Sequence, residues 1–187
     1  ARINSQFAAI CTRMAKSDSF FIRAKVTSNG TTYAQEEIDM GSFVNLGVSK
    51  STLVRVHGVD CAIRDESFPG SISVDDAQFA LGWQLTTQSQ TAIVGLDDKS
   101  VLASGSMQGY PGEQASGDYK TSFATQDYDM NPRSFKNGYL VGVDSLFLGT
   151  DCSVTLTSGN YTVEVILECT LETATQASAT ALALSQQ

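Results

Sequence analysis

Histidine, proline and charge are what this 187-residue chain has least of. It holds one histidine, His57, three prolines and one tryptophan. Imidazole-based nucleophilic catalysis would have to use His57, and a metal site with several histidine ligands is excluded. Charged residues make up only 17% of the chain, with Ser, Thr, Asn and Gln plentiful in their place. Neutral polar groups desolvate at lower cost than charges when two surfaces meet. No run approaches the ~18–20 apolar residues a membrane-spanning helix needs. The opening residues Ala-Arg-Ile-Asn-Ser-Gln contain no apolar stretch of signal-peptide length, and an initial alanine fits simple removal of a methionine. There is no glycine-rich phosphate motif and no Cys-x-x-Cys. The four cysteines, Cys11, Cys61, Cys152 and Cys169, are widely spaced. Cys61 and Cys169 sit in apolar runs and read as small buried hydrophobes, so free thiols are expected; a Cys61–Cys169 disulfide stays open.

What is present is alternation. Tyr161, Val163, Val165, Leu167, Cys169 and Leu171 interleave without a break with Thr162, Glu164, Ile166, Glu168, Thr170 and Glu172. This predicts a strand of roughly 40 Å, at ~3.3 Å per residue, with one face in the core. Its other face is acidic and partly apolar, a candidate surface for a neighbouring subunit. Phe20 to Val26 alternates too, and Asn29-Gly30 predicts a hairpin turn returning along Thr31 to Met40. Leu53 to Ile63 is strand-like but changes phase at Gly58, which predicts a β-bulge. Phe79–Thr87, Tyr139–Leu148 and Ser153–Thr157 read as further strands, and Leu96–Leu102 as one helical turn. Residues 105–138, rich in Gly, Ser, Asp and Gln, read as a long loop decorating one end of the domain. Seven to nine strands on a chain long enough for one core predict an all-β sandwich or barrel.

The net charge of −8 is unevenly spread. Residues 1–25 hold five cations (Arg2, Arg13, Lys16, Arg23 and Lys25) against Asp18, a balance of +4, and the remainder carries −12. Five dispersed cations fall short of a nucleic-acid cluster, and a solvated terminus is the stronger reading. Phe7, Ile10, Cys11 and Met14 at helical spacing predict a short amphipathic helix within residues 1–17, needing a surface to lie on.

Candidate chemistry is sparse. Asp127-x-Asp129-x-Asn131 matches the first half of a calcium loop, but Pro132 and Gly138 stand where its glycine and bidentate acid belong. A cation site of another kind would draw on Asp118, Asp127 and Asp129. Glu36-Glu37, Asp75-Asp76 and Asp97-Asp98 could supply glycosidase carboxylates, yet two acids are easily found among 20. Gly105-Ser106-Met107-Gln108-Gly109 misplaces its serine for a nucleophile elbow. Asn29-Gly30-Thr31 and Asn160-Tyr161-Thr162 are glycosylation sequons, but both overlap turn signals. No residue is assigned as catalytic, cofactor-binding or metal-binding, no cofactor is expected, and the chain is read as no enzyme.

In its ordering of elements the chain resembles the small single jelly-roll coat proteins of icosahedral viruses, over roughly residues 18–173. A basic N-terminal arm (1–17), strands separated by turns, a long loop (105–138) before the last strands, and a long terminal strand followed by a small-residue tail (174–187) carry the resemblance. It implies a jelly-roll domain that packs against copies of itself into a shell, with no catalysis and no small-molecule substrate. It also implies a place in the virion and contacts with other capsid proteins. A weak contact of the basic arm with nucleic acid or an internal membrane would go with it, although that arm carries little charge for genome packaging. The alternative from the residues is a β-sandwich module binding carbohydrate or another ligand through Tyr110, Tyr119 and Tyr128.

Overall fold

A computed structural model describes residues 18–47, 50–67, 78–113, 119–156 and 159–186, with the side chains of 111–128 outside that description. The expected helix within 1–17 lies outside the described residues. The described chain forms nine strands: β1 (Phe20–Thr27), β2 (Ala34–Asp39), β3 (Lys50–Asp65), β4 (Phe79–Thr86), β5 (Val101–Glu113), β6 (Tyr119–Met130), β7 (Tyr139–Val141), β8 (Ser145–Cys152) and β9 (Tyr161–Thr175). A helix, α1 (Gln176–Ser185), follows.

Two antiparallel sheets face each other, ordered β1-β9-β3-β7 and β2-β8-β4-β5-β6. With β6 set aside, the pairing is nested: first strand with last (β1·β9), second with second-last (β2·β8), then β3·β7 and β4·β5. Such nesting is what results when one long antiparallel ribbon is rolled around a common core, two Greek keys closing as one sandwich. The fold is a jelly roll.

β9 sits between β1 and β3 and is paired on both sides. Its Tyr161, Val163, Val165, Leu167 and Cys169 are at most 1% exposed. Facing them from the other sheet are Phe79, Leu81, Trp83 and Leu85 of β4 and Leu146 and Leu148 of β8. Tyr161 also ties the sheets together. Its hydroxyl bonds Thr150 Oγ1 at 3.0 Å, and Thr150 donates in turn to the Gly82 carbonyl at 2.8 Å. The sixth apolar residue expected in this core, Leu171, is instead 37% exposed. β1 ends its pairing at Phe20↔Cys169, so beyond that row β9 has only β3 beside it.

The expected bulge is present: the β3·β9 register shifts between Val56 and Gly58. The 131–138 turn packs over it, where a Cβ at Gly138 (φ +63°) would lie 2.3 Å from the Val56 carbonyl oxygen. Four other expectations are corrected. Asn29-Gly30 does turn the chain, with Gly30 at φ +59°, but β2 pairs with β8 in the opposite sheet and not with β1. The stretch Tyr139–Leu148 divides into β7 and β8, because the chain crosses between sheets at Gly142–Asp144; Ser153–Leu156 forms no strand. Leu96–Ser100 is turn, not helix, with Asp98 Oδ1 accepting from the Ser100 N–H and hydroxyl.

The largest correction concerns 105–138. Most of it is the β5–β6 hairpin, paired from Ser104↔Met130 to Glu113↔Tyr119. Low intrinsic strand preference is overridden by pairing, since β5 also lies against β4. Small residues are required there. Gly109 faces Phe79 across the ladder, and a Cβ would come 2.2 Å from that buried ring. Gly109→Ala is therefore expected to destabilise the chain by about 1–3 kcal/mol, read as a lower urea midpoint at unchanged slope. Leu167→Ala should cost about 2–5 kcal/mol by opening a cavity at the centre.

Candidate functional site

β1 and β9 alternate strictly, so each residue buried by one face sets its neighbour on the other. This places Phe21, Arg23 and Lys25 of β1 beside Glu168, Ile166 and Glu164 of β9 on the outer face of the four-stranded sheet. Phe21 is 54% and Ile166 39% exposed, two large apolar groups on neighbouring rows. Arg23 lies over the Phe21 ring at 6.0 Å. Arg23, Lys25, Glu164 and Ile166 line an open groove of about 470 Å³. From β3, Arg64 reaches Glu164 at 3.2 Å and Asp60 receives Arg133 at 3.0 Å. Ion pairs this exposed contribute at most ~1 kcal/mol each, so they orient the charges more than they stabilise the fold.

Towards the bulge the face becomes more enclosed. Arg55 forms a two-pronged pair with Glu172, one arm at 2.7 Å, and donates to the Asn137 carbonyl at 2.6 Å. His57, half-buried, shares a 2.8 Å hydrogen bond with Thr170 Oγ1. Thr170 is only 6% exposed, so the contact ties β3 to β9 beneath the surface of this face.

The outer face of the five-stranded sheet is built differently. Buried Gln84 of β4 donates to Tyr33 Oη and the Ala92 carbonyl, both at 2.9 Å, and accepts from the Val94 N–H at 2.9 Å. This straps the β4–β5 loop across the sheet, and Gly149 leaves room for the Tyr33 ring. A second open depression, about 500 Å³, lies beside it between Gly82, Ile93, Ser106 and Asp151. Nothing in the sequence marked Gln84 as buried; a glutamine alternating with Leu81, Trp83 and Leu85 reads as solvent-facing.

The sequence candidates do not converge. Asn131 is buried and spends its carboxamide on the Val59 backbone and the Arg133 N–H. Asp129 is exposed, Asp118 lies outside the described residues, and so does the Asp127 side chain. Among the described residues no three His, Cys, Asp or Glu side chains gather around a point. Glu37 accepts from the Ser145 hydroxyl on the sheet edge, and Asp98 is engaged in its turn, where the Ser100 hydrogen bonds hold it below the usual carboxylate range. Asp75-Asp76 lies outside the described residues. Tyr110 pairs with Ser122 and Tyr119 with Glu113, while Tyr128 falls near Gly105. At ~3.3 Å per residue the three backbone positions are spread over roughly 25 Å of hairpin.

No protein-family model matches this chain, and no curated protein matches it. Two solved viral VP1 chains overlap it loosely. Merkel cell polyomavirus VP1, solved in complex with disialyllactose, is 12% identical, covers 83% of this chain and 94% of its own, and has a TM-score of 0.35. Trichodysplasia spinulosa-associated polyomavirus VP1, solved in complex with sialylated precision glycooligomers, is 10% identical over 82% of this chain and 95% of its own, with a TM-score of 0.33. The resemblance to jelly-roll capsid proteins is architectural.

Among the described residues Cys61, Cys152 and Cys169 form no disulfide. Burial pushes the Cys61 thiol up to about 12, and burial together with Glu168 does the same for Cys169. Both stay protonated until the pH nears 12, so the nucleophilic thiolate is scarce at pH 8. Pulse alkylation at pH 8 should label these two at least roughly a hundredfold more slowly than a small free thiol, and unfolding in urea should abolish the difference. Rapid labelling of either in the native chain contradicts the described packing.

Proposed function

We propose that this chain is a structural, self-assembling protein, a capsid subunit that packs against copies of itself in a virion. Residues 18–173 build the shell, and residues 1–17 and 174–187 flank that unit. The carrying observation is the outer face of the four-stranded sheet, where Phe21 and Ile166 stand exposed among charges of both signs. A face of that kind suits a subunit contact: the apolar pair supplies attraction and the charges select orientation.

The fold narrows the choice without making it, because jelly rolls serve capsids, lectins and cupins alike. The space between the sheets is filled by Trp83, Tyr161, Phe79, Met40 and their neighbours, and the single histidine stands on the outer face. This speaks against a ligand or metal chamber inside the barrel. The tyrosines of the carbohydrate reading are spread along the hairpin backbone, which supports that reading less than the sheet face supports a subunit contact. No enzymatic role is part of the proposal: among the described candidates His57 bonds Thr170, Glu37 bonds Ser145 and Asp98 bonds Ser100, at separate places. Contact of the basic segment with nucleic acid or lipid stays a lesser part of the proposal.

Electron microscopy of concentrated protein, across salt and pH, is expected to reveal a lattice or shells. A strictly monomeric protein under all those conditions, with no effect of deleting residues 1–17, would remove the proposal. Ile166→Glu and Lys25→Glu should each raise the concentration needed for assembly. For Ile166 the expected factor is roughly tenfold or more, since burying an isoleucine contributes about 1.5–3 kcal/mol.

A further inference from the structure

On one side the four-stranded sheet ends in β7, three residues long, beside the much longer β3. Among the described residues no further strand lies beside β7, so its outward backbone N–H and C=O groups need other partners. Two side-chain carboxamides take the vacant positions. Past the end of β7, Asn131 donates Nδ2 to the Val59 carbonyl at 2.8 Å and accepts the Val59 N–H on Oδ1 at 3.3 Å. Beside β7, Gln186 donates Nε2 to the Leu140 carbonyl at 2.6 Å and accepts the Gly142 N–H on Oε1 at 2.9 Å. In a strand, the C=O of one residue and the N–H of the residue two further on point to the same edge, and an added strand would engage that pair. Gln186 therefore stands in for one residue of a missing strand.

The stand-in is held from every side. Gln186 is 4% exposed. Its carbonyl accepts from Thr87 Oγ1 at 2.8 Å and Gln88 Nε2 at 3.0 Å, and its N–H bonds back to the Leu182 and Ala183 carbonyls of α1. α1 is seated close by, since a Cβ at Gly142 would lie 3.0 Å from the Leu182 side chain. Ala179 and Ala183 are buried beneath it. A helix with no charged residue is thus held by its small buried residues and by the amide at its end.

We propose that α1 and Gln186 form an edge lock: the C-terminal tail closes the β7 edge within its own chain and prevents a second copy from adding a strand there. The lock is independent of the capsid reading, because an open β7 edge is an association hazard in any role.

Amide exchange at Gly142 followed by NMR in the full-length chain tests the contact. Gln186→Ala should lower Gly142 protection by roughly tenfold or more. Gln186→Glu is the sharper variant. Its carboxylate keeps the acceptor but turns an anion toward the Leu140 carbonyl, so protection falls at pH 7. Once protonated, the acid donates an O–H and accepts an N–H as the carboxamide does, so protection should return as pH falls through the glutamate's raised pKa. Tyr139, whose phenol also hydrogen-bonds Gln186 and is pushed upward by burial, stays neutral throughout. Gly142 protection equal to wild type in Gln186→Ala, or no acid recovery in a folded Gln186→Glu chain, overturns the contact. The guarding role is read by sedimentation, at a concentration where wild type gives one species. Gln186→Ala and a chain ending at Thr175 should both form larger species there. If Gly142 opens and both variants still sediment as wild type, the guarding role is wrong and only the hydrogen bonds stand.

Discussion

Everything in this molecule hangs on β9 being paired on both sides. With β1 on one flank and β3 on the other, its register is set twice over, and a slip of one residue would turn Val163, Val165, Leu167 and Cys169 out to water. Because β1 is the first strand of the ribbon and β9 the last, that pairing also closes the chain on itself. The core then assembles from residues far apart in sequence, and the Tyr161–Thr150–Gly82 hydrogen-bond chain ties one sheet to the other.

The same alternation that fills the core writes the outer surfaces, and the two sheets use theirs differently. The five-stranded sheet covers much of its outer face with its own loop, strapped down through Gln84. The four-stranded sheet keeps β1 and β9 bare, with Phe21, Ile166 and opposed columns of charge in view. Its edge at β7, in contrast, is occupied by side-chain amides. The exposed apolar pair and the hydrogen-bonded edge thus lie on different parts of the same sheet.

Legibility from sequence followed the period of two. Tyr161–Glu172, Phe20–Val26 and the bulge at Gly58 could be read because each apolar position reports directly on a half-buried strand. Residues 105–138 could not. Glycine, serine and glutamine there have weak strand preference, and Phe79, which demands a glycine at 109, is 30 residues away in the chain. Leu171 misled for the opposite reason: the pattern continues, but the flanking strand stops. In the candidate surface, Glu164, Ile166 and Glu168 were visible on their own strand, whereas their pairing with Phe21, Arg23 and Lys25 rests on a contact between the two ends of the chain. Gln84, Asn131 and Gln186 left no signal, because a buried amide is recognised only by the backbone groups it satisfies.

The sequence alone determined that the chain is all-β, that Tyr161–Glu172 has one core face and one acidic, partly apolar face, and that a metal site with several histidine ligands is excluded. These follow from local alternation and from counting, which need no partner. Tertiary structure decided which strands are neighbours, that β2 crosses to the opposite sheet, and that the glycine-rich middle is a hairpin. It also decided that Gln186 hydrogen-bonds the backbone of the β7 edge. Each depends on hydrogen bonds and close approaches between segments tens to more than a hundred residues apart, where local pattern carries no information.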